Sequence, residues 1–377
     1  MSDVTEWLLD PEVAYLNQGA FGAMSKPVAA AAAELRAEME SNPASLLARS
    51  LPEKLNRVRE QVAALLGGDP AGGAFVTNAT SGTATVIASL EPSLSPGDEL
   101  LTTDHRYGAV TAQLARSAAT HGITPVVAHV PLDLTTAGDV VTAITDRITP
   151  KTKLLVVDSI ASLSGFVFPL TEIVGAAHDR GVPVLVDAAH APAQIDVNLE
   201  AMNADFWVGN MHKWICSPRA AAYLHVAEQW RDQVRPLVAS HGYAGGFHEA
   251  FDWTGTFDPV NVLAIPAALD FWESQGGWDE VRRRQRETVD DGAKRVAAAL
   301  DSHSPIQAQF RAAMRIIELP VALTADAARE LEAALAARQI EISLMPLHDK
   351  SWVRVCGQIY NTTEDYDRLG AALRDLV

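Results

Sequence analysis

From about residue 55 to residue 230, short apolar runs rich in β-branched residues alternate with longer segments whose apolar positions recur at helical spacing. The runs are Gly73-Ala74-Phe75-Val76, Glu99-Leu100-Leu101-Thr102, Thr124-Pro125-Val126-Val127, Leu154-Leu155-Val156-Val157, Val182-Pro183-Val184-Leu185-Val186 and Phe206-Trp207-Val208. This alternation predicts an α/β fold: a mostly parallel central sheet with helices on both faces. The intervening segment Leu170 to Arg180 keeps helical periodicity and stops at Gly181, a C-cap residue. Alanine-rich stretches at Ala29 to Ala33 and Ala333 to Ala337 predict further helices, and no fixed-period repeat is present. Glycine- and proline-bearing connections cluster between Ser240 and Pro259. Beyond Ala264 the pattern changes to a long arginine-studded helix, Trp278 to Leu300. Short strands follow at Arg315 to Leu319 and Trp352 to Cys356, with helices between and after them. The expected organisation is an N-terminal segment (1–20) packing with the small domain and the site, a large domain (21–263) and a smaller C-terminal α+β domain (264–377).

Composition narrows the function classes. The chain has 377 residues and 47 acidic against 30 basic side chains, a formal charge of -17. Such a surface repels nucleic acid and anionic membranes. Two cysteines, Cys216 and Cys356, are too few for a disulfide framework or a zinc cluster, and no metal site is expected. The acidic start Met1-Ser2-Asp3-Val4-Thr5-Glu6 is unlike a targeting signal, and no apolar stretch is long enough to cross a bilayer. A cytoplasmic enzyme is the expectation. The basic run Arg282-Arg283-Arg284-Gln285-Arg286 lies among Glu280, Glu287, Asp290 and Asp291, as expected of a solvated helix face.

In parallel α/β sheets ligands bind beyond the carboxyl ends of the strands, so the residues after each apolar run carry the chemistry. After Phe75-Val76 come Thr77-Asn78-Ala79-Thr80-Ser81-Gly82, small hydroxylated residues opening a helix. Its amides and dipole suit a phosphate, although plain N-capping by Thr80 or Ser81 gives the same pattern. After Val184-Leu185-Val186 comes Asp187, a carboxylate that needs a cationic or hydrogen-bonding partner there. Lys213 lies 26 residues further on, after Phe206-Trp207-Val208, within reach of a neighbouring strand end. A lysine between His212 and Trp214 is a candidate for a lowered pKa and imine chemistry, or simply a partner for Asp187. Acid, lysine and phosphate cup together match the needs of pyridoxal phosphate.

At this point the sequence resembles the fold-type I pyridoxal-phosphate enzymes of the class V aminotransferase group, within it the isopenicillin N epimerase-like subgroup. The resemblance runs in order over nearly the whole chain. It rests on Tyr15-Leu16-Asn17-Gln18-Gly19-Ala20-Phe21-Gly22, Asn78-Ala79-Thr80-Ser81-Gly82, Asp104-His105-Arg106-Tyr107-Gly108-Ala109, Asp187-Ala188-Ala189-His190-Ala191-Pro192 and Gly209-Asn210-Met211-His212-Lys213-Trp214. Ser240-His241-Gly242-Tyr243, Asp252-Trp253-Thr254-Gly255-Thr256 and Arg354 complete it. The resemblance implies that Lys213 forms the Schiff base and moves the Cα proton, that Asp187 pairs with the pyridine nitrogen, and that His190 sits near the ring oxygen. It implies that His105 stacks on the cofactor with Tyr107 as its neighbour, and that Ala79, Thr80, Asn210 and His212 hold the phosphate. Ser162 would face the cofactor, Thr256 would reach the phosphate from the other subunit of a homodimer with a shared active site, and Arg354 would clamp the carboxylate of a small amino-acid substrate.

The same resemblance leaves several reactions open: β-elimination of an S-substituted cysteine, decarboxylation-dependent oxidative deamination of such a substrate, epimerisation, and transamination. A non-catalytic binding protein of the same fold is the reading from another class, which intact Lys213 and Asp187 oppose. Desulfuration needs a cysteine on a mobile loop, whereas Cys216 and Cys356 read as small buried residues. Gln18 stands where the subgroup commonly has histidine, and Phe257 where it has arginine. With Asn17, these are the positions expected to read the substrate. The subgroup includes carbon-sulfur lyases of secondary metabolism and enzymes of antibiotic biosynthesis. Lyase chemistry needs the fewest groups, so β-elimination is the leading expectation. An epimerase would need a second proton donor, with His105, Tyr107 and His241 as candidates.

Overall fold

The computed structural model describes residues 4–377; residues 1–3 of the expected N-terminal segment lie outside the described residues. A short strand β1 (Ala14–Tyr15) precedes two helices, Lys26–Ser41 and Leu51–Leu65. The large sheet contains β2 (Gly73–Val76), β3 (Glu99–Thr103), β4 (Thr124–Ala128), β5 (Thr152–Asp158), β6 (Val184–Asp187), β7 (Phe206–Asn210) and β8 (Ala222–Val226). Its order is β2-β8-β7-β6-β5-β3-β4. β4, β3, β5, β6 and β7 pair in parallel, and β8 runs antiparallel between β7 and β2. The apolar runs anticipate the other six strands. The β8 run begins in Ala220-Ala221-Ala222, which lacks the β-branched signature; its position between two partners makes it a strand.

Consecutive residues of these strands alternate between two apolar cores. Leu101, Leu155, Val157, Val186 and Trp207 face the helices Lys26–Ser41 and Leu51–Leu65. Leu100, Leu154, Val156, Leu185 and Phe206 face the opposite side, with the helices Ala79–Leu90 and Gly108–His121. Helices cover both faces, so the strands are continuously apolar in sequence. The helix starting at Leu170 ends at His178, and Gly181 (φ 71°) instead makes the turn into β6.

Beyond the large sheet, the helix Ile265–Ser274 and the long helix Gly277–Ala299 lead to β9 (Met314–Glu318), β10 (Ile340–Glu341), β11 (Ser343–Leu347), β12 (Lys350–Cys356) and the helix Thr363–Leu376. β11, β12 and β9 form an antiparallel sheet in that order, with β11 at the edge, where its Pro346 removes no ladder bond from a central strand. This sheet shares a third core with Val289, Val296, Tyr366 and Leu369. Ala14 and Leu16 enter the same core, and β1 pairs in parallel with β10. By packing, we propose that the large domain extends through Ile265–Ser274, whose Ile265, Ala268, Phe271 and Trp272 join the first core. Within the basic run, Arg283 pairs with Glu280 at 2.6 Å and with Glu287 at 2.5 Å, an exposed network. The tip of the β11–β12 hairpin reaches the ends of β3 and β4: His348 and His129 both hydrogen-bond Asp104, whose other oxygen accepts from Val130 N at 3.0 Å.

Candidate active site

A cavity of about 240 Å³ lies at the carboxyl ends of β5, β6 and β7. Asp158, Asp187 and Asn210 end those strands and line it, together with Asn78, Ala79 and Thr80 at the start of the helix Ala79–Leu90. Ala20, Phe21, Tyr107, Ser162, Ala189, His190, His212 and Lys213 complete the wall. The helix begins in a capping box: Asn78 Oδ1 accepts from Ser81 N at 2.8 Å, and Ser81 Oγ from Asn78 N at 3.2 Å. Thus Asn78 is the N-cap rather than Thr80 or Ser81. Asn210 Oδ1 accepts from Ala79 N at 2.9 Å and ties the helix start to β7.

Lys213 sits in the loop after β7, and the N-terminal segment holds that loop from behind. Gln18 Nε2 donates to the Lys213 carbonyl at 2.6 Å. Gly22 takes φ 69°, and a Cβ there would lie 2.0 Å from the His212 carbonyl oxygen and 2.6 Å from that of Lys213. Lys213 Nζ lies 3.1 Å from His190 Nε2. Burial pushes the Lys213 amine down to about 8; the nearby Arg354 cation adds to the shift, against Asp187, Cys356 and Asp158. Burial likewise holds His190 well below the ordinary histidine range.

Asp187 and Asp158 are registered partners in the parallel pair β5–β6, both buried. Burial raises both carboxyls, and the Asp187 charge raises Asp158 further. Asp187 is favoured as the anion by the Ala189 amide, 3.1 Å away, and by Lys213. Neither carboxyl forms an ion pair with a side chain among the described residues, so Asp187 is a buried acid facing a cavity without a cationic hydrogen-bond partner of its own.

Arg354, on β12, is 2% exposed. Its Nη1 donates to the Ser162 carbonyl at 2.6 Å and its Nη2 to Asn17 Oδ1 at 3.1 Å, while Nε has no partner. No carboxylate pairs with this guanidinium among the described residues. Asn17 is otherwise spent on Ser343 Oγ and the Ile342 carbonyl.

Several expected positions lie elsewhere. His105 does not reach the cavity. It is fully buried, its Nδ1 is 2.8 Å from Ser164 Oγ and its Nε2 2.7 Å from the Val130 carbonyl, and burial pushes it down to about 4. Tyr107, the N-cap of the helix Gly108–His121, takes the place on the cavity wall. Gln18 does not line the cavity: it is fully buried, and its Oε1 accepts from Ala23 N and from Tyr360 OH at 2.7 Å. Asn17 also stands outside the cavity wall and touches Arg354 instead. His241 is exposed and does not line the cavity. Phe257 lines a second, mainly apolar cavity of about 430 Å³, and Thr256 lines neither. Sequence reasoning passed over Asp158 and Trp214. For Asp158 the signal was there, since it ends a strand as Asp187 does.

This geometry and the comparisons with known proteins meet on one class. The chain belongs to the class-V aminotransferase family, whose model matches residues 14–369. Isopenicillin N epimerase of Amycolatopsis lactamdurans is 31% identical over 386 residues, covering 98% of this chain and 96% of its own. Putative L-cysteine desulfhydrase 1 of Oryza sativa subsp. japonica is 29% identical over 97% of this chain and 83% of its own. Among solved structures, a lysine-to-alanine mutant of C-DES with glycine covalently linked to the PLP cofactor superposes with a TM-score of 0.86 at 20% identity, over 100% of both chains. The fold is that of fold-type I enzymes, and the family's cofactor is pyridoxal 5'-phosphate. The cavity fits such a group: a buried amine at its wall, a buried acid without a cationic hydrogen-bond partner, and a helix N-terminus. Among the described residues no helix is long and apolar enough to cross a membrane.

Proposed function

We propose that this enzyme cleaves the Cβ–S bond of an S-substituted cysteine by β-elimination. Lys213 would hold the cofactor's aldehyde carbon and Asp187 its pyridine nitrogen, with Thr80 and the start of its helix at the phosphate, His190 and Ser162 at the ring, and Tyr107 against its face. When bound, the cofactor supplies an electron sink for the Cα carbanion. Lys213, once freed by the substrate's own amine, takes the Cα proton, and the sulfur leaves as thiolate. Water completes the balance, giving a thiol, pyruvate and ammonia.

The observation that carries this reading is the pairing of one buried low-pKa amine with one buried guanidinium that lacks a carboxylate partner. The amine suffices for proton removal, and Arg354 suits a clamped α-carboxylate, which opposes decarboxylation. Cys216 and Cys356 are buried and burial raises both thiols, so neither serves as a sulfur-accepting nucleophile. Relatives named cysteine desulfhydrases support the same chemistry. Tyr107 favours epimerisation as the second reading, because it is a hydroxyl-bearing residue that lines the cavity and relatives include isopenicillin N epimerases.

Proton NMR of the holoenzyme in D2O with a panel of S-substituted cysteines separates the readings. Pyruvate with a free thiol supports elimination. Cα deuteration of an otherwise intact substrate would replace it with epimerisation, and a keto acid retaining the sulfur with transamination. Lys213→Ala should abolish all three. We also propose a homodimer in which Thr256 completes the partner's phosphate site; the apolar second cavity beside it and the exposed Leu237 and Val238 support this. Sedimentation at micromolar concentration should give twice 40.4 kDa. Thr256→Ala should weaken cofactor retention.

A further inference from the structure

We infer that Trp214 is a positioning residue: its indole N–H fixes His190 as the Nε2–H tautomer, and that tautomer holds Lys213 Nζ as a hydrogen-bond acceptor, a free amine. Trp214 Nε1 points at His190 Nδ1 at 3.3 Å, while Lys213 Nζ lies 3.1 Å from Nε2 of the same ring. An indole nitrogen only donates, so Nδ1 must offer its lone pair. A neutral imidazole carries one proton, which is thereby placed on Nε2, facing the lysine. Nε2–H can bond to Nζ only through a nitrogen lone pair, which an ammonium group does not have.

The alternatives fail on the same geometry. A lysine ammonium donating to Nε2 would put the ring proton on Nδ1, against the indole N–H. A doubly protonated ring would oppose both neighbours. Burial first, and the Arg354 cation with it, disfavour the ring's own cation. Around Nζ stand Arg354, which favours the free amine, and Asp187, Asp158 and Cys356, which oppose it. Trp214 is completely buried and His190 is 1% exposed, so neither ring is free to swing away. The residue after the lysine thus governs the protonation of the lysine through a histidine on another strand end.

This inference rests on the reading of Lys213 as the cofactor's lysine, yet it is measured on the histidine ring. Long-range proton–nitrogen NMR of the full-length chain labelled with 15N-histidine, cofactor-stripped and loaded, reads the two ring nitrogens directly. His190→Gln identifies the resonances by their loss. The expected wild-type spectrum of the stripped protein shows a bare Nδ1 and a protonated Nε2 at about pH 9, above the value of about 8 to which burial brings the Lys213 amine. Trp214→Phe, which keeps an aromatic ring and removes the donor, should move the ring towards the Nδ1–H tautomer. The pH midpoint for recombination of stripped protein with pyridoxal phosphate should then rise by about one unit. A wild-type ring protonated on Nδ1 or on both nitrogens would overturn the proposal, as would a Trp214→Phe spectrum and midpoint unchanged from wild type. A Lys213→Ala chain that still gave the imine absorption band would instead remove the cofactor assignment and leave the tautomer as measured.

Discussion

A lysine buried beside one guanidinium and two carboxyls has its basicity set by opposing neighbours, and this links catalysis to stability. In the cofactor-free protein the folded-state Lys213 amine titrates near 8 because of burial and then Arg354, whereas the unfolded chain titrates near the ordinary lysine value. Between those values the unfolded state binds more protons, so this group makes the fold more stable as pH rises. The buried cysteines and tyrosines act in the opposite direction there. The measurable quantity is therefore the wild-type minus Lys213→Met difference in urea stability, which should grow by about 3 kcal/mol from pH 8 to 10.5. Arg354→Gln removes the guanidinium that no carboxylate pairs with among the described residues and should lower kcat/KM for carboxylate-bearing substrates by about 100-fold, ~2.7 kcal/mol. A comparable loss with a substrate amide, which lacks the carboxylate charge, would contradict the clamp. At this scale the sequence was legible where a polar residue directly ends an apolar run, as at Asp187. It was not legible at His105 and Gln18, whose side chains turn into the interior, towards Ser164 and Tyr360, and no local pattern encodes that.

At the scale of elements, the phosphate-type helix start works only if the helix can press onto the sheet. Gly82 permits this: a Cβ there would lie 2.5 Å from Val208 Cγ2 on β7. Gly82→Ala should lift the helix, stretch the Ala79–Asn210 bond and weaken cofactor affinity about tenfold, read by equilibrium dialysis of the phosphate cofactor. The hairpin between β11 and β12 is fastened differently. Burial alone would raise the Asp104 carboxyl, yet His105, the Val130 amide, His129 and His348 together hold it below the ordinary range. That stabilisation is present above the ordinary carboxylate value and is lost as pH falls through the lowered one. Asp104→Asn should cost about 1–2 kcal/mol at pH 7 by urea denaturation, and the gap to wild type should narrow below pH 4. Parallel strands were legible from their continuous apolar runs, since helices cover both faces. β8 was not, because an antiparallel strand opening in alanines becomes a strand only through its two neighbours.

For the whole molecule, the acidic charge of -17 fits an enzyme of small molecules rather than a binder of nucleic acid. The N-terminal segment does more than its few residues suggest. It lends β1 to β10, places Leu16 in the small core, and sends Gln18 and Gly22 to the lysine loop. Deleting residues 1–17 should therefore abolish the cofactor absorption band as well as lower thermal stability, even though none of the described residues among them lines the cavity. The β1–β10 pairing also bears on modularity. A polypeptide started at residue 264 would leave β10 without the strand it pairs with and would strip Ala14 and Leu16 from the core that holds Leu335 and Ile340. The C-terminal portion is thus not an exchangeable cassette. Any chimera that grafts it onto another large domain must carry the segment through Gly22 with it, and any fusion partner belongs at the carboxyl end, where no strand has to be lent.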